Sequence, residues 1–301
     1  MKKQAQKRKA PDLRDRILRV ENEGMLFPFL QEQLHGKNRN NIKTLLTCHQ
    51  VEVNGTPQTK YNFALKPGDQ IRILPDRIQS SLRSFQGFSI VYEDPHLIVI
   101  DKHAGILSVA TEKEKKNTAY SFLSAHVKTE HPSNKIFIVH RLDKDTSGLM
   151  VFARSEKVQA LFQEKWKETV TERTYIAIVE GNVEDNAGVV SSYLHENKAR
   201  VVYSNQNPEG GKEAITHFQV LNRKSGLTLL RVHLDTGRKN QIRVHMSELG
   251  HPIVNDKKYG STTNPIGRLG LHSKTLAFTH PVTGILLRFE TPMPRKFARL
   301  F

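Results

Sequence analysis

The chain has 301 residues, 37% of them hydrophobic, and a formal net charge of +16. That length allows one large domain plus a small one, and the charge excess points to a polyanion as partner, nucleic acid before a membrane surface. Cys48 is the single cysteine, which excludes an intrachain disulfide and a thiolate zinc cluster; no run approaches the roughly 18 apolar residues that span a bilayer, so a soluble, cytoplasmic protein is expected.

Residues 1–23 carry Lys2, Lys3, Lys7, Arg8, Lys9, Arg14, Arg16 and Arg19 and read as a basic, flexible tail. From Met25 the pattern turns helical, with Leu26, Leu30 and Leu34 on one face, Pro28 tolerated in the first turn and Gly36 at the end. Asn40 or Asn41 can cap a second helix that buries Ile42, Leu45 and Leu46. Val51 and Val53 then alternate before the Asn54-Gly55 turn, and Lys66-Pro67-Gly68-Asp69 turns the chain into Ile71-Arg72-Ile73-Leu74. Two short helices and a small sheet over residues 24–76 resemble the S-four RNA-binding domain, although the charged residues that usually open its first helix are replaced by Gly24-Met25-Leu26-Phe27. The resemblance implies phosphate contacts from Arg39, Lys43 and Lys37; a dimerisation or scaffolding module is the alternative. Residues 77–88 read as a linker.

The remaining 89–301 begin with two strands, Ile90–Asp94 and Leu97–Asp101, around Asp94-Pro95, after which Lys102-His103-Ala104-Gly105 leaves the sheet. Two apolar runs, Ile136–Val139 and Leu149–Ala153, read as buried strands around the polar loop His140-Arg141-Leu142-Asp143-Lys144-Asp145-Thr146-Ser147-Gly148. A calcium loop starting at Asp143 is excluded, because its twelfth residue is Arg154 where a bidentate Glu is needed. A polar hairpin with an internal Arg–Asp pair and a reactive loop held by a rigid sheet both fit the residues. Ser155 caps a helix over about 156–168 with Val158, Leu161, Phe162 and Trp166 as its buried stripe; stacking of Trp166 on a base is the alternative, and helical spacing favours the core. A strand runs from Arg173 through Tyr175 to Gly181, and polar residues 182–212 form either a hairpin tip reaching out to a substrate or a variable loop. Ile215–Val220 and Leu227–Leu234 resume strand patterning. Asp235-Thr236-Gly237-Arg238 turns into a helix that buries Ile242, Met246 and Leu249, directs Arg243 and His245 to other faces, and stops at Gly250 and Pro252.

His140-Arg141-Leu142-Asp143-x-x-Thr146-Ser147-Gly148 resembles the signature of the RluA-type pseudouridine synthases, which isomerise uridine in RNA. Further ordered motifs extend the resemblance over about residues 89–301: Thr236–His245, Gly250-His251-Pro252-Ile253, Asp256-x-x-Tyr259-Gly260, Leu269–Ser273 and Phe278–Pro281. The chain departs from the commoner pattern at His103, where proline is usual, and at Asn240, where histidine is. The resemblance implies an α+β protein with the pseudouridine synthase fold: a mixed, largely antiparallel sheet with flanking helices and a central RNA-binding cleft, beside the small N-terminal α/β domain.

The reaction needs no redox change, energy source or metal, and the sequence has no phosphate-binding loop, dinucleotide fingerprint or metal-ligand spacing, so no cofactor is expected. It does need a carboxylate at the sugar–base junction. Asp143 is the candidate, as nucleophile or as a group that stabilises charge on the sugar and takes a proton. A carboxylate in a closed pocket tends to protonate through desolvation, and a guanidinium counters this; the resemblance makes Arg243 that partner. By the same resemblance Tyr175 packs on the target ring and can act as a base, Arg141 fills the position vacated when the base is extruded, and Leu271 lines the pocket floor. Asp145 is expected to order the loop. The favoured substrate is large-subunit ribosomal RNA, with transfer RNA as alternative, and a monomer is favoured. Two competing readings are a noncatalytic RNA-binding assembly factor on the same scaffold and a carboxylate hydrolase. The hydrolase needs a second carboxylate, and Asp145 is too close in sequence to serve.

Overall fold

The computed structural model describes residues 17–34, 39–47, 51–73, 83–112 and 114–301; the tail as far as Arg16, Gly36, Lys37, Cys48 and residues 77–82 of the expected linker lie outside them. The chain divides into two compact units, Met1–Gln79 and Ser80–Phe301.

In the first unit, helices Leu26–Gln33 and Arg39–Thr47 accompany a four-stranded sheet in the order Ile17–Arg19, Gln70–Ile73, Val51–Val53, Thr56–Pro57. Leu26, Leu30, Ile42, Leu46, Val51 and Ile71 are all fully buried, so the helical and alternating periods meet in one core. Asn54 (φ 51°) and Gly55 (φ 78°) make the left-handed two-residue turn between two of these strands.

The second unit is built on a twelve-stranded sheet. Its main path runs Val202–Asn205, Ala187–Glu196, Lys212–Lys224, Leu227–Leu234, Val170–Glu180, Leu271–Thr279, Ser147–Ala153, Leu97–Lys102, Phe88–Glu93, Arg83–Phe85. Among the described residues, neighbouring strands of this path pair antiparallel save at one seam, where Ser147–Ala153 meets Leu271–Thr279 in parallel through Ser147↔His272 and Gly148↔Ser273. Gly148 makes the seam possible. Its φ is +112°, and a Cβ there would stand 2.1 Å from the Ser273 carbonyl oxygen, so no other residue allows the two backbones to approach so closely. Every residue of Ser147–Ala153 is buried, as expected of a strand covered on both faces. Met150 and Phe152 join the core beneath helix Ala119–Glu130, with Leu123 and Val127.

Three local readings of the sequence are corrected, and residues 182–212, left open between hairpin and loop, prove to be a hairpin. Only Phe137–Ile138 of the run 136–139 is strand, and both residues are half-buried, because the chain is already bending into the polar loop. The helix after Ser155 ends at Glu164; Lys165 (φ −118°, ψ 32°) breaks it, and Trp166 begins a separate turn, Trp166–Thr169, partly exposed instead of completing the stripe of Val158 and Phe162. Residues 182–212 hold a true antiparallel hairpin and strand at the sheet edge, with Val190, Ser192 and Leu194 inward; serine in the alternation hides the period. The helix Gln241–Glu248 buries His245 completely and leaves Leu249 38% exposed. The hairpin covers this helix, so Val244 packs with Leu194 and Val202, and His245 bonds to Ser192 (3.1 Å) and Thr216 (2.8 Å).

Candidate active site

The loop between the half-buried Phe137–Ile138 and the seam strand is held at several points. His140 Nε2 accepts from the Val151 amide at 3.0 Å, and burial pushes its imidazole down to about 3, so it is a neutral acceptor. Ser108 Oγ accepts from the Leu142 amide (3.0 Å) and donates to the Leu142 carbonyl (2.6 Å). Lys102, fully buried at the end of its strand, donates from Nζ to the carbonyls of His103 (3.0 Å), Ile106 (2.7 Å) and Lys144 (3.0 Å). Burial pushes its ammonium down to about 7 while Asp145 and Asp143 act to hold the charge. Asp145 is likewise a counter-charge to Arg268. At the far end Ser147 Oγ is bonded to His272 (2.8 Å) and to Arg268 (2.7 Å). The Asp143 side chain, 23% exposed, sits between these anchors.

Arg243 arrives from the helix Gln241–Glu248. Asn240 precedes that helix in the left-handed region (φ 55°), which asparagine tolerates better than most residues. Its amide is two-headed: Nδ2 donates to Tyr259 Oη at 2.8 Å and Oδ1 accepts from Arg243 Nη1 at 3.1 Å. Arg243 Nε and Nη2 fork onto the two oxygens of Asp256 at 2.6 and 2.7 Å, and Asp256 is buried. The guanidinium carbon lies 4.9 Å from the centre of the Tyr259 ring. Held on three sides, the guanidinium presents Nη1 to Asp143 Oδ2 at 3.3 Å. Burial works against its charge, but Asp256 and then Asp143 outweigh that, so its pKa lies above the ordinary value. Asp143 Oδ1 has no hydrogen bond among the described residues.

Tyr175 stands opposite Ser273 across the strand that forms the seam. Burial raises its phenol above the ordinary value, with Arg173 and a bond to Ser273 pulling the other way, so it is neutral at physiological pH. Asp143, Tyr175, Arg243, Arg141 and Leu271 line one cavity of about 60 Å³, Arg141 exposed at its edge and Leu271 buried. Five sequence-predicted residues thus converge from four separate stretches. Arg39 and Lys43 belong to the N-terminal unit, exposed on helix Arg39–Thr47, where they approach the rings of Phe27 (5.6 Å) and Tyr61 (6.0 Å).

Sequence reasoning gave no role to Asp256, Tyr259 or Lys102. The Asp-x-x-Tyr-Gly run was the available signal for the first two; a lysine ending an apolar strand was the signal for the third. Away from the cavity, Glu93, His126 and Glu130 have metal-ligand types and lie close together, but Arg154 already pairs with both glutamates. This cavity gathers one oriented carboxylate, one fixed cation, a neutral phenol and an apolar floor. That set can attack or stabilise an electrophilic carbon beside a flat ring.

Residues 96–248 match the family model described as RNA pseudouridylate synthase. The chain is 32% identical over 263 residues to YhcT of Bacillus subtilis, an uncharacterised RNA pseudouridine synthase, covering 86% of each chain. It is 35% identical over 226 residues to the ribosomal large subunit pseudouridine synthase D of Pseudomonas aeruginosa, covering 69% of each. Among solved structures it resembles the human RNA Pseudouridylate Synthase Domain Containing 4, with a TM-score of 0.58 at 25% identity, over 69% of this chain and 90% of that one.

Proposed function

The chain belongs to the RNA pseudouridylate synthase family, isomerases that convert uridine to pseudouridine in RNA, and from that premise we propose that it modifies large-subunit ribosomal RNA with Asp143 as its catalytic carboxylate. The observation that carries the role of Asp143 is its geometry: one oxygen rests on Arg243 while the other has no hydrogen bond among the described residues, beside Tyr175 and Leu271 in one cavity. The relatives named ribosomal large subunit pseudouridine synthase D, from Pseudomonas aeruginosa and Nitrosomonas europaea, support the choice of RNA.

In this reading Asp143 acts at the sugar carbon as the C1′–N1 bond breaks. The detached uracil turns, C1′ bonds to C5, the C5 hydrogen leaves as a proton to water, and N1 gains a proton, so nothing is oxidised or consumed. Arg243 fixes the carboxylate and balances its charge. Tyr175 enters as a neutral phenol and serves first as a flat wall against the ring. Arg141, exposed at the rim, occupies the place that the extruded base leaves in the RNA stack. We infer that the N-terminal unit adds sequence-independent phosphate contacts through Arg39 and Lys43.

The test uses RNA carrying tritium at C5 of uracil, with ribosomal and transfer RNA assayed separately. Wild-type protein should release tritium from ribosomal RNA, and Asp143→Asn should release none while folding and binding RNA as before. Activity retained by Asp143→Asn overturns its role. Release from transfer RNA alone overturns the substrate, and salt-dependent binding of both RNAs without release from either favours a noncatalytic RNA-binding factor.

A further inference from the structure

The catalytic cavity adjoins a second and larger one, of about 360 Å³, along a wall that the two share: Arg141, Tyr175, Leu234 and Arg238 line both. The second cavity is built around Trp166, the only tryptophan of the chain. Its indole is partly exposed because the helix breaks at Lys165 and carries Trp166 off the buried stripe. The His140 ring lies 5.4 Å from it and the Arg173 guanidinium 5.7 Å, so aromatic, imidazole and guanidinium surfaces are gathered in one wall. Arg173 is fixed there by donating to the carbonyls of Leu234 (3.0 Å) and Asp235 (3.2 Å). Four cations line this cavity, Arg141, Lys167, Arg173 and Arg238, against one acid, Asp235, which already accepts from His217 at 2.8 Å.

Flat polarisable groups ringed by cations suit one ligand class, a nucleobase carrying its phosphate. Acceptors able to read the donor edge of a base are scarce, since Asp235 is engaged and Thr236 Oγ1 is spent on the Ile215 amide (2.9 Å) and Gln241 (2.8 Å). We propose that the Trp166 cavity is a subsite for the nucleotide adjoining the target uridine, held by stacking and by phosphate contacts without selection of base identity. The inference rests on the RNA-isomerase reading of the catalytic cavity, because the shared wall is what makes the two occupants neighbours in one strand.

Trp166 reports on its own occupancy. In full-length Asp143→Asn protein, its fluorescence is titrated with a five-residue oligouridylate and with the same backbone carrying a base only at the central residue. Binding of both is followed by the polarisation of a labelled end. The intact oligomer should quench Trp166 and the version with abasic flanks should quench far less; replacing the flanking uracils by adenine or cytosine should preserve quenching. Equal quenching by both, or none while both bind, overturns the proposal, and quenching restricted to one flanking base overturns the absence of base selection. Kinetics on tritiated ribosomal RNA give the second readout. Trp166→Ala should raise KM about tenfold or more, as expected for a lost stacking surface, with kcat nearly unchanged, and Trp166→Phe should restore KM. A fall in kcat with unchanged KM, not rescued by phenylalanine, assigns Trp166 to structure alone. Because the fluorescence needs no turnover, quenching specific to base-bearing flanks would persist if the isomerase reading failed, and turnover indifferent to Trp166 would sink only the subsite.

Discussion

Asp256→Asn tests how the cation of the active site is aimed. The substitution preserves shape but sets an amide against Arg243, whose Nε and Nη2 now fork onto the carboxylate at 2.6 and 2.7 Å. Removing one partner of a buried ion pair costs about 3–5 kcal/mol. Arg243 would keep Asp143 and Asn240 at 3.3 and 3.1 Å, which reduces the expected loss to about 2–3 kcal/mol. For a unit the size of Ser80–Phe301 that corresponds to a fall in Tm of about 4–12 °C. The larger effect should be on turnover. Without its bidentate anchor the guanidinium is drawn towards Asp143, and a displacement near 1 Å in a catalytic constellation costs about 100-fold. We therefore expect kcat for tritium release to fall about 100-fold, with KM within about threefold, since no direct contact to the RNA is lost. A folded Asp256→Asn protein whose kcat stays within about twofold of wild type would refute the argument that Asp256 positions the site.

Two further outcomes follow from the packing of the second unit. Gly148→Ala should abolish the fold, or cost more than about 4 kcal/mol, because its Cβ would meet the Ser273 carbonyl at 2.1 Å; Gly210→Ala, at φ +73° in open space, should cost only about 1 kcal/mol, and equal urea midpoints for the two variants would be contrary evidence. Burial pushes His245 and His272 down to about 4, below the roughly 6.5 of an unfolded histidine. Between these values the unfolded chain binds more protons than the folded one, so stability is complete above the unfolded pKa and is lost as pH falls towards 4, by up to about 3 kcal/mol per histidine. Urea denaturation between neutral and acid pH should show that slope, and His245→Gln should flatten it; an unchanged slope would remove His245 as its source.

Much of this protein is determined by local order in the chain. The helical period at Leu26, Leu30 and Leu34, the alternation at Val51 and Val53, and the apolar run Leu149–Ala153 declare themselves because burial selects a side chain every 3.6 or every 2 residues. The residue types of the reaction are local too, since His140–Gly148 carries its motif in one unbroken stretch. The fold class and the reaction class could be read from that order and from the family resemblance. Tertiary structure alone decided the rest. Arg243 is 100 residues from Asp143 in sequence, and Asp256 meets it from a segment that Ile253 and Val254 tie to strand Val170–Glu180. Trp166 looked like core because its spacing from Phe162 is helical; one residue, Lys165, takes it out of that helix and into the wall of a cleft. His245 looked exposed because its partners, Ser192 and Thr216, lie on other strands. Periodicity records whether a residue is buried against its own neighbours in the chain, but long-range contacts decide which distant polar groups a buried side chain meets, and these carry no period.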